Sequence, residues 1–382
     1  VDDRRRLRTD ILLANGASDA IVSELLAYTD KPFGPGKSTA VPAFPLEDEA
    51  HVEAWESYAR EAAEAGTFET LRRHFVQLRC PIRAGISQEE PYKAATRRGR
   101  DDAADDAYGG RALTLARPDL LDLTIVPTIA GRMPILVAGD RGDFVTLVRA
   151  FSERNEPAVV PDAMGACIVK GLNNWSRIRA YRARWASSLD HVPGEAEWNE
   201  EFQRIVPRKE LYQDRFVILS RGPYSAIAAA GIGFSDAEWL DRSVVIRREH
   251  ELTHYFTYRV FGSMRNNVFD ELVADFVGLV RALGRYRADL ALRFLGLEAH
   301  PVFRPGGRLE VYRGQPPLSD DAFAVVRALA VKAAANLERF GDASSRHLRD
   351  LGALGRLVFA LTTMTLEELA SPQMADLVPA EA

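Results

Sequence analysis

Cysteine is nearly missing from this chain. Its 382 residues include two, Cys80 and Cys167, far apart and in no C-x-x-C pair. A thiolate zinc site and a disulfide framework are thereby excluded, and a reduced, cytoplasmic setting is the expectation. Long apolar runs are missing too. No stretch approaches the roughly 18 apolar residues of a membrane span, and the polar start, Val1-Asp2-Asp3-Arg4, leads into no signal-peptide core. Positive charge is not in excess either. The net charge of -5 gives no footprint for a nucleic-acid partner. No internal repeat is visible. Histidine is scarce, yet two of the seven histidines fall within one five-residue stretch.

What is present fits a globular protein. Hydrophobic residues make up 47% and charged residues 27%, enough apolar material for one large domain or two ordinary ones. Residues 7–28 read as helix, broken near Asn15-Gly16, with Ser18 or Asp19 capping the second piece. Residues 31–46 are rich in proline and glycine and read as a loop. Within it, Gly34-Pro35-Gly36-Lys37-Ser38-Thr39 mimics a phosphate-binding loop. The full pattern needs a glycine where Lys31 stands and a buried strand before it, so a plain connection is expected. Residues 47–64 and 67–79 read as two further helices.

A soft boundary falls in the charged stretch around Thr96–Gly110. The expected organisation is a helical N-terminal portion (1–95), a polar linker or flap (96–118) and a main domain (119–382). Short β-branched runs, 121–126, 134–138 and 215–220, read as strands, with 158–160 as a further short one. Strands followed by helices argue for an α+β arrangement. Residues 164–174 have the small and polar mix of a substrate-lining loop. From 173 to 185, Trp175, Ile178, Tyr181 and Trp185 share one helical face. Arg177, Arg179, Arg182 and Arg184 fall largely on the other, expected to be solvated.

The chemistry concentrates after residue 235. Ser235 with Glu238 is a capping-box start for a helix over about 236–260, ending near Gly262. Its second half carries His250-Glu251-Leu252-Thr253-His254, the pattern H-E-x-x-H. Residues four apart lie on one helical face, so both imidazoles can reach one metal ion. Glu251 sits beside them, placed to handle the proton of a bound water, a layout that suits zinc. A short connection leads to a second helix, about 268–284, carrying Asp270, Glu271 and Asp275. Glu271 and Asp275 share a face. Glu271 can supply a third ligand, with Asp270 as the alternative, and Asp275 can accept a hydrogen bond from a ligand histidine. His51, His74 and His191 read as solvated single residues.

H-E-x-x-H followed by E-x-x-x-D resembles the gluzincin, or thermolysin-like, zinc metallopeptidases over about residues 215–285. The resemblance implies a zincin-like core, a small mixed sheet with an active-site helix pair. It implies Zn2+ held by His250, His254 and Glu271 with water as fourth ligand, Glu251 as general base and proton donor, and Asp275 as partner of His250. The metzincin extension fails, because Thr257 and Val260 stand where glycine and histidine are required. Sixteen residues separate His254 from Glu271, a little fewer than in the best-known gluzincins, and the usual substrate-edge motif has no match in Leu219–Tyr224. An oxyanion donor is also needed. Arg221, Tyr255, Tyr258, His300, Tyr312 and His347 are the candidates.

The expected function is therefore zinc-dependent hydrolysis of a peptide or amide bond. A metal-dependent tailoring enzyme for a small molecule and an inactive zinc-binding interaction protein are the alternatives.

Overall fold

The computed structural model describes residues 2–30, 33, 41–262, 267–344 and 348–378. The phosphate-loop mimic at 34–39, most of the connection after Gly262, and His347 lie outside these. The protein is mixed α+β, with one four-stranded mixed sheet. No helix among the described residues is long and apolar enough to cross a membrane. The chain forms two compact units. Unit 1 comprises Val1–Glu47, Thr128–Ala130 and Gly222–Ala382, and unit 2 comprises Asp48–Pro127 and Gly131–Arg221.

Unit 1 opens with α1 (Asp2–Ala14) and α2 (Asp19–Thr29), with Ser18 at the N-cap position of α2. Unit 2 then supplies α3 (Val52–Ala65), α4 (Thr67–His74), α5 (Glu90–Arg98) and α6 (Asp101–Tyr108). The stretch 96–118, expected as linker or flap, thus carries a helix. The sheet follows, with β1 (Leu121–Thr128), β2 (Gly131–Ala138), α7 (Arg141–Phe151), β3 (Ala166–Asn173), α8 (Trp175–Ser187), α9 (Glu195–Ile205) and β4 (Gln213–Ser220). Unit 1 resumes with α10 (Asp236–Phe261), α11 (Val268–Leu283), α12 (Ala288–Leu295), α13 (Asp320–Ser344), α14 (Leu351–Thr362), α15 (Leu366–Ala370) and α16 (Met374–Leu377).

In unit 2 the strand order is β1-β2-β4-β3. β2 runs parallel to β4 with Ile135 opposite Val217, and β3 runs antiparallel with Cys167 opposite Ile218. β4 is central, and Phe216, Val217, Ile218 and Leu219 are all fully buried. That is why its sequence is a continuous apolar run rather than an alternation. Trp55, Phe75, Phe151 and Phe216 pack edge-on and tilted over it, with ring centroids 4.7 to 6.3 Å apart.

Four sequence expectations change here. His51, expected to be solvated, is buried. Residues 158–160 are not a strand, and Val159 is 88% exposed. The supposed lining loop at 164–174 is mostly β3. Arg177 is not solvated. Its Nη1 donates to Asp214 Oδ1 at 2.7 Å, while Asp214 also accepts from Trp55 Nε1 and Asn174 Nδ2. Burial still pushes the Asp214 carboxyl up, against the pull of Arg177. A carboxylate at full burial recruits a cation because an unpaired one would be far costlier. The apolar face of α8 does pack as its spacing predicts, against Trp198, Phe202 and Ile205 of α9.

In unit 1 the two motif-bearing helices form the centre. α10 starts at the predicted capping box, with Ser235 Oγ accepting from Glu238 N and Glu238 Oε2 accepting from Ser235 N. It stops at Gly262, whose φ of 75° only glycine adopts without strain. α11 starts at Asn267, whose side chain accepts from Asp270 N at 3.0 Å, and is buried on nearly its whole circumference. The two helices approach closely at Gly278. A Cβ there would lie 2.8 Å from the carbonyl oxygen of Ile246. α13 packs alongside α15, α12 and α11. α1 joins α15 through Arg4 with Glu368 and through Arg8 with Glu367.

Candidate metal centre

His250 and His254 project from one face of α10, and Glu271 and Asp275 from the first two turns of α11. All four are buried. The ligand-type atoms of His250, His254 and Glu271 lie within 4.8 Å of one another, so this buried cluster can hold a metal ion. The two Nε2 atoms are 3.0 Å apart. Glu271 Oε2 lies 3.4 Å from His250 Nε2, and Oε1 lies 3.3 Å from His254 Nε2.

The outer nitrogens face carboxylates. His250 Nδ1 is 2.9 Å from Asp275 Oδ1, and His254 Nδ1 is 3.2 Å from Asp270 Oδ2. A proton on each Nδ1 leaves both Nε2 lone pairs aimed at one point beside a carboxylate. Two such lone pairs at 3.0 Å repel unless a cation or a proton lies between them. The separations also match roughly 3.3 Å between neighbouring ligands around a tetrahedral ion with bonds near 2.0–2.1 Å. Glu271 Oε2, buried, has no hydrogen-bond partner among the described residues, with Arg308 Nη2 3.6 Å away. The residues therefore fit a small divalent cation. Asp270 stands behind His254 rather than beside Glu271, which separates the two candidates for third ligand.

Electrostatics agree with this reading. Burial works against a proton on His250, but the Glu271 charge and the Asp275 hydrogen bond outweigh it and raise its pKa. Burial likewise opposes a proton on His254, and Asp270 and Glu271 lift its pKa well above the usual value. Against the same burial, the two imidazoles hold Glu271 well below the ordinary carboxylate range. Without a metal, the cluster gathers protons where the metal would be.

Two residues complete the site that the motif did not announce. Tyr224 donates its hydroxyl to Asp275 Oδ1 at 2.8 Å and lies 3.0 Å from His250 Nδ1. Arg308 donates from Nη1 to the Tyr224 hydroxyl at 2.7 Å and from Nη2 to Asp275 Oδ2. Asp275 is thus gripped from three sides, and Arg308 lowers its pKa against the effect of burial. Ser225 and Ala226, next in the chain, have φ of 50° and 56°. Left-handed backbone at two consecutive non-glycine residues is costly and is found where geometry is being enforced. Tyr224 lies in the stretch read for a substrate-edge strand, and Arg308 in a Pro/Gly-rich loop. A buried tyrosine and a lone arginine in such segments are the only hints the sequence offers.

The other expected residues scatter. Glu251 is half-buried beside His250 and makes no hydrogen bond or ion pair with a described residue. Tyr312 is buried near the cluster, and burial pushes its hydroxyl upward, with the Glu271 charge adding to this and Arg308 opposing it. Tyr255 is buried in the core and stacked on Tyr258. His300 is exposed just beyond α12. Arg221 belongs to unit 2, at the end of β4.

The chain belongs to a family of unknown function (DUF7005), which matches residues 10–373. No curated protein and no solved structure matches it. The matched span takes in α10, α11, Tyr224 and Arg308.

Proposed function

We propose that the cluster is a gluzincin-like zinc centre and that the protein is a hydrolase acting on a peptide or amide bond. The observation that carries this reading is the paired arrangement of imidazoles and carboxylates. Both histidines have Nδ1 against a carboxylate and Nε2 facing Glu271. The hydrogen bond of His250 Nδ1 to Asp275 is how metal-ligating histidines are fixed in tautomer and orientation, and His254 Nδ1 faces Asp270 at 3.2 Å without a formed hydrogen bond. Two nitrogens and one carboxylate leave a fourth tetrahedral position, as in catalytic rather than structural zinc sites. Zinc there would acidify water and polarise a substrate carbonyl.

The protein residues do the remaining work. Asp275 takes the Nδ1 proton of His250 in a hydrogen bond, and Tyr224 and Arg308 keep Asp275 in place. Glu251, one residue along α10 and without a partner among the described residues, takes the proton of the attacking water and returns it to the leaving amine. Tyr312, beside Glu271, is placed to donate to the oxygen that becomes negative.

The test compares wild type with Glu251→Gln for metal content and for turnover of quenched fluorescent peptides. The expected result is one zinc per chain in both, with turnover falling at least about 100-fold in the variant. Unchanged turnover would sink the mechanism. Metal bound in both with no amide cleaved by either would leave a small-molecule substrate or a stabilising metal instead.

A further inference from the structure

Unit 2 holds a second candidate site that the metal chemistry does not use. A cavity of about 420 Å3 lies along β3, the outer strand of the sheet. That volume is in the usual range for small-molecule sites. Arg97, Arg154 and Lys170 line it, and no carboxylate does. For a chain of net charge -5 this lining is far from average.

Nearby arginines are spoken for. Arg98 pairs with Glu90 and Arg100 with Asp102, and Arg149 donates to the Ala158 carbonyl. Arg97 and Arg154 make no ion pair or hydrogen bond with a described residue.

The backbone around the cavity is specialised in two places. Arg154 and Asn155 have φ of 54° and 60°. Asn155 pins this turn from beneath. Its amide donates to the Gln77 carbonyl at 2.9 Å, and its Oδ1 accepts from the Tyr92 hydroxyl at 3.1 Å. A non-glycine residue held this way stores strain that elsewhere marks ligand sites. On the opposite wall, β3 slips register between Lys170 and Leu172, with Gly171 at φ 80°. A regular strand offers only alternate residues to one side. Here the whole run 169–173 contributes to the lining, at the place where a bulge breaks that alternation.

We infer that this cavity binds an organic oxyanion with at least two negative charges on an apolar body, a phosphate ester or a dicarboxylate. Two guanidinium forks match such groups in charge and planar geometry, and Phe151 and Tyr92 supply apolar surface beside them.

Titration calorimetry at low ionic strength tests this with two matched probes, phenyl phosphate and phthalate. At least one is expected to bind saturably, more weakly as salt rises. The double variant Arg97→Gln/Arg154→Gln should weaken it at least tenfold with the circular dichroism spectrum unchanged. Phenyl phosphate alone binding makes the ligand a phosphate ester, and phthalate alone a dicarboxylate. Arg154→Gly, which relieves the left-handed strain, should lose binding while keeping or raising Tm. His250→Ala should bind like wild type. Failure of both probes to saturate, binding unchanged in the double variant, or binding lost in His250→Ala overturns the inference.

Discussion

At the scale of single residues, the candidate centre is a set of donors aimed by their neighbours. Arg308 is bonded to neither Nε2; it lies 3.6 Å from Glu271 Oε2 and grips the Asp275 that orients His250. Arg308→Met should weaken zinc about 10–100-fold, the usual effect of losing such a support, and Arg308→Lys should recover only part of it, since one ammonium cannot serve Asp275 and Tyr224 with the planar fork of a guanidinium. Competition with a chromogenic chelator measures both, and an affinity unchanged in Arg308→Met would remove this role. The contrast with the motif residues explains what could be read from sequence. His250 and His254, or Glu271 and Asp275, are four apart on a helix, so geometry follows from spacing. Tyr224 is 26 residues from His250, and Arg308 is 33 from Asp275. Only tertiary packing brings them in.

At the scale of elements, legibility followed local signals. α10 and α11 were readable because each has a capping side chain at one end and a glycine at the other. β3 was not, because Ala166–Asn173 mixes small, charged and apolar residues, and as an edge strand with a bulge it needs no clean alternation. The false strand at 158–160 shows the converse, since β-branched residues without a partner strand do not pair. Arg177 was misread because helical spacing assigns a face but cannot reveal that Asp214 is buried opposite. The approach of α10 to α11 at Gly278 sets how far Glu271 and Asp275 reach. Gly278→Ala should therefore cost about 1–3 kcal/mol, as overpacking does, and weaken zinc as well. Ser235→Ala, at the far end of α10, should cost about 1 kcal/mol through its cap and leave zinc affinity as it was. Thermal melts and metal titrations of the two variants separate the effects. Equal zinc affinities in both would show that this helix contact does not govern the centre.

At the scale of the whole molecule, metal and protons compete for the fold. In metal-free protein the raised pKa values of His250 and His254 give stability that is fully present below the unfolded value of 6.5 and is lost as pH rises through the folded values. The lowered values of Glu271 and Asp275 act oppositely. Their contribution is present above the unfolded values of 4.5 and 3.8 and is lost as pH falls through the folded ones. For these groups, chelator-treated protein should therefore be steadiest at mildly acid pH and lose Tm as pH rises from 6.5 through the raised histidine values. Zinc requires neutral imidazoles, so the Tm gained on adding it should grow across the same interval. A gain that shrinks as pH rises would contradict the assignment. The helical character of much of the chain and its α+β class were legible, but the two units were not, because unit 1 is discontinuous in sequence and composition carries no mark of which distant segments rejoin. That discontinuity has a consequence for synthesis on the ribosome. Domains tend to fold as units while the chain emerges. The residues of unit 2 are all made by position 221, and the ligand cluster with its Tyr224 and Arg308 supports by position 308. α1 is made long before α15, yet Arg4 and Arg8 meet Glu368 and Glu367 only once synthesis has run 364 and 359 residues further. A helix made before all of unit 2 thus waits for one made after it.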